Sequence, residues 1–237
     1  MVTRDQDFLE PNDLRLLDLA LLRRLAGEPL AYVCGFKDFY KHRFHVGPGV
    51  LIPRPETEIV VEAALDFLPQ GESRIADFGA GTGCIGISIL LERPAARLVA
   101  VEKSPDALKY LRRNIKELGV GARTEVAPIA AEELPDKDFD LIVANPPYIA
   151  PTDPNVEENV RRFEPALALF SDGEGLGAIH RWLDVASKIL KINGRLIMEV
   201  GAGQSKILRE YSVQGLKFDS VKRDLAGHER VLIWRKT

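Results

Sequence analysis

The sequence predicts an α/β protein: a mainly parallel sheet of seven strands with helices on both faces, its last strand antiparallel, preceded by a short helical and β-hairpin extension. Three observations predict it. Short apolar runs alternate with helix-like stretches through most of the 237 residues, the pattern of a parallel sheet covered on both faces. A glycine-rich turn, Gly79–Gly83, follows the first of these runs, at the strand end where such sheets bind ligands. The last two runs are separated by the turn signal Ala226-Gly227 and by no helix, so they pair antiparallel.

The first element is a Leu-rich helix that Asn12 can cap, with Leu14, Leu17, Leu21 and Leu25 at helical spacing and Gly27 closing it. Aromatic and β-branched residues from Phe36 to Ile52, around Lys41-His42 and Gly47-Pro48-Gly49, read as a hairpin and a loop. Pro53-Arg54-Pro55 stops the extended chain, and Pro55 suits the first turn of a helix reaching about Leu68. Strands follow at about 74–79, 97–102, 123–127, 139–144, 194–200, 216–221 and 229–235, with helices at about 83–92, 105–118, 176–190 and 203–213. Residues 149–175 form a long segment rich in Pro, Asp and Glu after the fourth strand, and long ordered loops are usually functional. The expected division is an extension over residues 1–52 and a catalytic domain over 53–237.

Composition excludes several classes. A net charge of −3 lacks the basic footprint of a strong nucleic-acid binder. The longest mainly apolar stretch, about Cys84 to Leu91, is far short of the ~18 residues that a bilayer span needs. The N-terminus carries acids where a signal peptide is apolar. Cys34 and Cys84 stand alone, so a cytoplasmic, disulfide-free protein is expected. His42, His45, His180 and His228 are scattered without acidic or Cys partners, and no metal is expected. Lys109, Arg112, Arg113 and Lys116 read as a solvated helix stripe, and Trp182 and Trp234 as core or interface residues.

The run Arg74–Phe78 leads into Asp77-Phe78-Gly79-Ala80-Gly81-Thr82-Gly83. Glycines there let the backbone approach a ligand closely, and the following helix N-terminus supplies free N–H groups. Glu102, 25 residues beyond Asp77, ends the next strand where an acceptor for ribose hydroxyls belongs. The spacing is GxGxG rather than GxGxxG, and no Lys-Ser/Thr pair follows as a P-loop would require. Asp77 would repel a pyrophosphate but suits a cation. S-adenosylmethionine carries an ammonium and a sulfonium and no phosphate, which makes it the expected cofactor.

The strand Phe139–Ala144 delivers Asn145-Pro146-Pro147-Tyr148 to the same sheet edge. A planar amide or aromatic amine is a poor nucleophile because its lone pair is delocalised, so a methylating site must hold both N–H groups and aim the nitrogen. The Asn145 side-chain oxygen can accept one N–H and the Pro146 carbonyl the other, the two prolines keeping the backbone extended. Tyr148 can pack its face on the planar group. These acceptors strengthen as the nitrogen gains positive character. The pattern is specific for methyl transfer to a planar nitrogen and leaves open which nitrogen.

Together with Gly27-Glu28-Pro29-Leu30-Ala31-Tyr32, Gly35, Phe39, Phe44 and Val46, the stretch Val50–Glu58 with its core Ile52-Pro53-Arg54-Pro55-Glu56-Thr57-Glu58 resembles the release-factor glutamine methyltransferases, the PrmC/HemK family. The resemblance runs through Asp77–Gly83, Glu102, Asn145–Tyr148, Arg162-Phe163-Glu164-Pro165, Gly173, Glu199, Gly201, Gln204, Asp224, Gly227 and Arg230. It implies a class I, Rossmann-like methyltransferase fold and S-adenosylmethionine as methyl donor. The implied substrate is the glutamine of the Gly-Gly-Gln motif of peptide-chain release factors. Cofactor contacts would fall on Asp77, Phe78, Gly79, Ala80, Gly81, Gly83, Glu102 and Asn145, with Ala130 at the adenine end. Asn145, Pro146, Pro147 and Tyr148 would grip the glutamine, Asn145, Pro146 and Tyr148 being the catalytic set, with Arg54 and Glu164 as further substrate contacts. Two features depart from the family pattern. Only 26 residues precede Gly27, where a longer helical domain is usual, and Ala127–Ala131 lacks the polar or aromatic adenine-end motif. The alternatives are methylation of another planar nitrogen, a ribosomal-protein glutamine or an exocyclic amine of a nucleic-acid base, and a non-catalytic cofactor-binding partner.

Overall fold

The computed structural model describes residues 11–135 and 138–237. Helix α1 (Pro11–Leu25) ends at Gly27, and α2 (Leu30–Cys34) leads into a hairpin of β1 (Phe36–Phe39) and β2 (His42–His45). A 3-10 turn at Pro55–Thr57 runs straight into α3 (Glu58–Phe67), with Arg54 still extended before it. There follow β3 (Ser73–Phe78), α4 (Cys84–Glu92), β4 (Ala96–Val101), α5 (Pro105–Glu117), β5 (Thr124–Ala127) and β6 (Phe139–Ala144). After β6 come α6 (Glu158–Phe163), α7 (Ala166–Leu169), α8 (Gly177–Ile189), β7 (Leu190–Glu199), α9 (Ser205–Glu210), β8 (Leu216–Arg223) and β9 (Glu229–Lys236).

The large sheet has the order β5-β4-β3-β6-β7-β9-β8. All neighbours are parallel except β9, which lies between β7 and β8 and is antiparallel to both. A tight turn causes this: Gly227, at φ 85, gives its N–H to the Asp224 carbonyl, and the Asp224 side chain accepts from the His228 N–H. Alternate residues feed opposite cores. Ile75, Leu98, Leu141 and Val143 pack beneath α3 and α4, whereas Ala76, Val99, Ile142 and Ala144 meet Ile179, Trp182 and Leu183 of α8. Phe39 and Phe44 of the hairpin are fully buried in the first of these cores, an edge-to-face pair at 6.1 Å. The sequence from β3 onward winds to one side through β4 and β5, then reverses at β6. That reversal opens a crevice at the carboxyl ends of β3 and β6.

Two expected elements differ. The helix expected at 203–213 is only α9, Ser205–Glu210, because Tyr211 leaves the helix to stack on His180 at 4.0 Å. The segment 149–175 is not an open loop but holds α6, α7 and a 3-10 turn. Its return leg pairs with its start, Ile149 exchanging backbone hydrogen bonds with Leu169 and Ser171. Gly175, at φ 88, sits against that closure: a Cβ there would lie 2.3 Å from the Tyr148 carbonyl oxygen. The basic residues of α5 are exposed. Leu14, Leu17, Leu21 and Leu25 are also 47–84% exposed, since α1 packs chiefly on α2. Among the described residues no helix is long and apolar enough to cross a membrane.

One buried side chain ties the hairpin to the glycine turn. Asn114, 1% exposed on α5, accepts the His45 N–H at 2.7 Å and donates to the carbonyls of His45 and Thr82. Asn114→Leu would leave those groups without partners, each costing about 1–3 kcal/mol. A fall of about 3 kcal/mol or more in urea-unfolding free energy is expected; a change below 1 kcal/mol would contradict this account of the tie.

Candidate active site

A cavity of ≈ 220 Å³ lies at the carboxyl ends of β3, β4 and β6. Of the residues expected to contact ligands, Gly79, Ala80, Gly81, Glu102, Ala130, Asn145 and Pro147 line it. Asp77, Phe78, Gly83, Pro146, Tyr148, Arg54 and Glu164 are not among the residues that line it.

The glycine turn is built for approach. Gly81 has φ 57, and the nearest atoms to a Cβ placed there are 3.8 Å away, so the space over its backbone is open to the cavity. Glu102, 8% exposed, accepts the N–H of Gly81 at 2.9 Å and of Ser104 at 2.7 Å. One lone pair on each carboxylate oxygen stays available toward the cavity. Asp77 points inward: Oδ2 accepts the Gly86 N–H at 3.0 Å and Oδ1 is buried without a partner. Burial pushes this carboxyl up to about 7, the Gly86 bond opposing and the Glu102 charge adding. Phe78 meets Trp182 edge to face at 5.8 Å.

Trp182 and Thr57 line the cavity without having been expected there. A Cβ on Gly79 would stand 2.8 Å from the Trp182 ring, so the indole sits directly on the glycine turn. Its place on α8 is about a hundred residues from that turn, and its sequence signal is that of any apolar helix face. Cys84 also lines the cavity, but burial raises its thiol to about 12, which removes it as a nucleophile.

At the tip of β6, Asn145 donates from Nδ2 to Thr57 Oγ1 at 3.1 Å, and its Oδ1 accepts no hydrogen bond from the described residues. The Pro146 carbonyl takes no hydrogen bond from the described residues. Tyr148 is anchored from behind: its hydroxyl donates to Glu199 Oε1 at 2.9 Å, and Gln204 Nε2 donates to its carbonyl at 2.9 Å. Burial, then the Glu199 charge, raises the Tyr148 hydroxyl, which stays protonated. Glu199 is 2% exposed; burial raises its carboxyl, opposed by the hydroxyls of Thr57 and Tyr148 and by Arg230.

Arg54 and Glu164 meet each other. Glu164 is 5% exposed, accepts from the Arg54 guanidinium at 2.5 Å and also takes the Ile52 N–H at 3.1 Å. This pair ties the Ile52–Glu58 stretch to the segment after Tyr148, and so brings Thr57 over Asn145. Among the described residues no cluster of three or more His, Cys, Asp or Glu is arranged to hold a metal ion.

Comparison with known proteins identifies the family and the fold. The family "Methyltransferase small domain" matches residues 56–189. The release factor glutamine methyltransferase of Salmonella typhimurium is 38% identical over 224 residues, covering 94% of this chain and 80% of that protein. The enzyme of the same name from Bordetella pertussis is 40% identical over 235 residues, covering 98% and 86%. Among solved structures, a methyltransferase from Pyrococcus furiosus superposes with a TM-score of 0.59 at 16% identity over 96% of this chain and 99% of that one. TYW2 of M. jannaschii, in complex with AdoMet, gives 0.54 at 18% over 85% and 84%. These two share the fold. By its sequence and its sheet, the chain belongs to the release factor glutamine methyltransferase family of class I methyltransferases.

Proposed function

We propose that this protein transfers a methyl group from S-adenosylmethionine to the side-chain nitrogen of the Gly-Gly-Gln glutamine of peptide-chain release factors in the cytoplasm. The observation that carries the reading is the Asn145 tip: Asn145 lines the cavity, its Nδ2 donates to Thr57, and its Oδ1 has no partner among the described residues. An oxygen acceptor beside the free Pro146 carbonyl suits a substrate NH₂ and repels a carboxylate.

The cavity suits the cofactor. The open backbone over Gly81 admits a ligand at van der Waals contact, Glu102 presents lone pairs for two vicinal hydroxyls, and the apolar side chains of Ile129 and Ala130 can flank a purine. Bound there, S-adenosylmethionine supplies an electrophilic methyl carbon on a sulfonium. The chain's own residues do the rest. Asn145 Oδ1 and the Pro146 carbonyl hold the two N–H groups of the glutamine, fixing its plane and the line of attack. Both acceptors gain strength as positive charge develops on that nitrogen, which favours the transition state over the ground state. No general base is needed before attack, because the N–H becomes acidic only once the nitrogen is methylated.

Mass spectrometry of purified release factor after incubation with the protein and S-adenosylmethionine tests the proposal. One methyl on the Gly-Gly-Gln glutamine is expected. Transfer to RNA or DNA and none to the factor would overturn it. Cofactor binding has its own test: Glu102→Ala removes a charged acceptor and frees the Gly81 N–H, so affinity by calorimetry is expected to fall at least tenfold, or about 1.5–3 kcal/mol. Unchanged affinity would take Glu102 out of the cofactor site.

A further inference from the structure

The β6 tip must hold two acceptors in fixed directions, yet Pro146 and Pro147 have no N–H with which to tie it down. Its path is therefore set at its two ends. One end is β6 itself, where Ala144 lies in register with Phe78 of β3 and Met198 of β7. The other end is Tyr148, and the turn between β7 and α9 takes hold of it. Its hydroxyl donates to Glu199 Oε1 at 2.9 Å, and its carbonyl accepts from Gln204 Nε2 at 2.9 Å. Its ring lies against Gly201, where a Cβ would stand 3.2 Å from Cδ2. The Gln204 amide fits in one orientation only. Its Oε1 accepts the Gly201 N–H at 2.8 Å, a group that can only donate, so its nitrogen faces the Tyr148 carbonyl, which can only accept. A side chain that joins two main-chain groups of opposite polarity calls for glutamine rather than glutamate. Neither Glu199 nor Gln204 lines the cavity.

Resting on the function proposed above, we infer that Glu199 and Gln204 are positioning residues for methyl transfer: by gripping Tyr148 at its hydroxyl and its carbonyl, they fix the directions in which Asn145 Oδ1 and the Pro146 carbonyl meet the glutamine NH₂. Both act through Tyr148. A misplacement of about 1 Å at a reacting group can cost roughly 10²-fold in rate, so slackening this grip falls on the chemical step. The cofactor's contacts on β3 and β4 are left as they are.

The test uses the full-length protein, S-adenosylmethionine and a release factor carrying Gly-Gly-Gln. Gln204→Glu keeps an acceptor for Gly201 but sets an oxygen against the Tyr148 carbonyl. Tyr148→Phe removes only the hydroxyl, and Glu199→Leu removes its acceptor. Each is expected to lower kcat by about tenfold, with affinity for S-adenosylmethionine unchanged by calorimetry. Glu199→Gln keeps an oxygen that can accept from Tyr148 and is expected to retain most of the rate. Because Glu199 acts through the Tyr148 hydroxyl, Glu199→Leu is expected to cost nothing further once Tyr148 is Phe. Tyr148→Phe is the mildest change and decides the matter where a variant at Glu199 or Gln204 does not fold. Wild-type kcat in Tyr148→Phe or in folded Gln204→Glu would overturn the inference, as would losses at Tyr148 and Glu199 that multiply, which would leave a structural role only. Wild-type protein that fails to methylate the Gly-Gly-Gln factor would count against the proposed function instead.

Discussion

Asn145→Ala is expected to lower kcat by about 10²–10³, equivalent to roughly 2.7–4 kcal/mol of barrier, as loss of one preorganised polar contact typically does. Affinity for S-adenosylmethionine is expected to change little, because the glycine turn and Glu102 lie on β3 and β4 and do not depend on the β6 tip. The size follows from timing. In the proposed mechanism the Asn145 oxygen would already meet the substrate N–H in the ground state and the contact would strengthen as the nitrogen becomes cationic, so its removal is expected to fall mainly on kcat. Steady-state and single-turnover rates of factor methylation measure this directly. Near-normal rates would remove Asn145 from the mechanism.

Asp77 has the second large effect, on stability against pH. Its carboxyl is raised from 3.8 to about 7 by burial, so the folded protein keeps a proton that the unfolded chain has already lost. Below pH about 4 both states are protonated and Asp77 favours neither. As pH rises toward 7 the unfolded state gains from ionisation that the folded state resists, and stability falls. Above 7 the deficit is constant. Three units at about 1.36 kcal/mol each bound the change at roughly 4 kcal/mol. Asp77→Asn can keep an oxygen for the Gly86 N–H while removing the charge, so its urea-unfolding free energy is expected to exceed that of the wild type increasingly from pH 4 to 7. Parallel curves for the two proteins would show that the carboxylate is accommodated in the fold without cost.

Much of the architecture is legible in local sequence because its causes are local. The strands at Arg74–Phe78 and Phe139–Ala144, the glycine turn and the helix beginning at Pro105 each follow from residues within a few positions, and each stands where the spacing puts it. The short α9 was not legible, because stacking of Tyr211 on His180 ends it from a distant helix. The segment 149–175 concealed its order for a similar reason: Ile149 finds its backbone partners only when Leu169 and Ser171 return to it.

The site divides along the same line. Glu102, Gly81 and Asn145 were identifiable because a strand end or a tight turn by itself aims them at one sheet edge. Trp182 was not, since only the packing of α8 across the sheet brings its ring onto Gly79. Nor could the sequence say that Asp77 turns its carboxyl inward to Gly86, or that Arg54 and Glu164 bind each other. By itself, then, the sequence determined the sheet, the crevice and the chemistry of the residues at its rim, all of which depend on neighbours in the chain. The tertiary structure alone decided which atom of each polar group faces the cavity. The orientation of the β6 tip depends on buried partners distant in sequence: Thr57, 88 residues before Asn145, accepts from its Nδ2, and Glu199, 51 residues after Tyr148, accepts from its hydroxyl.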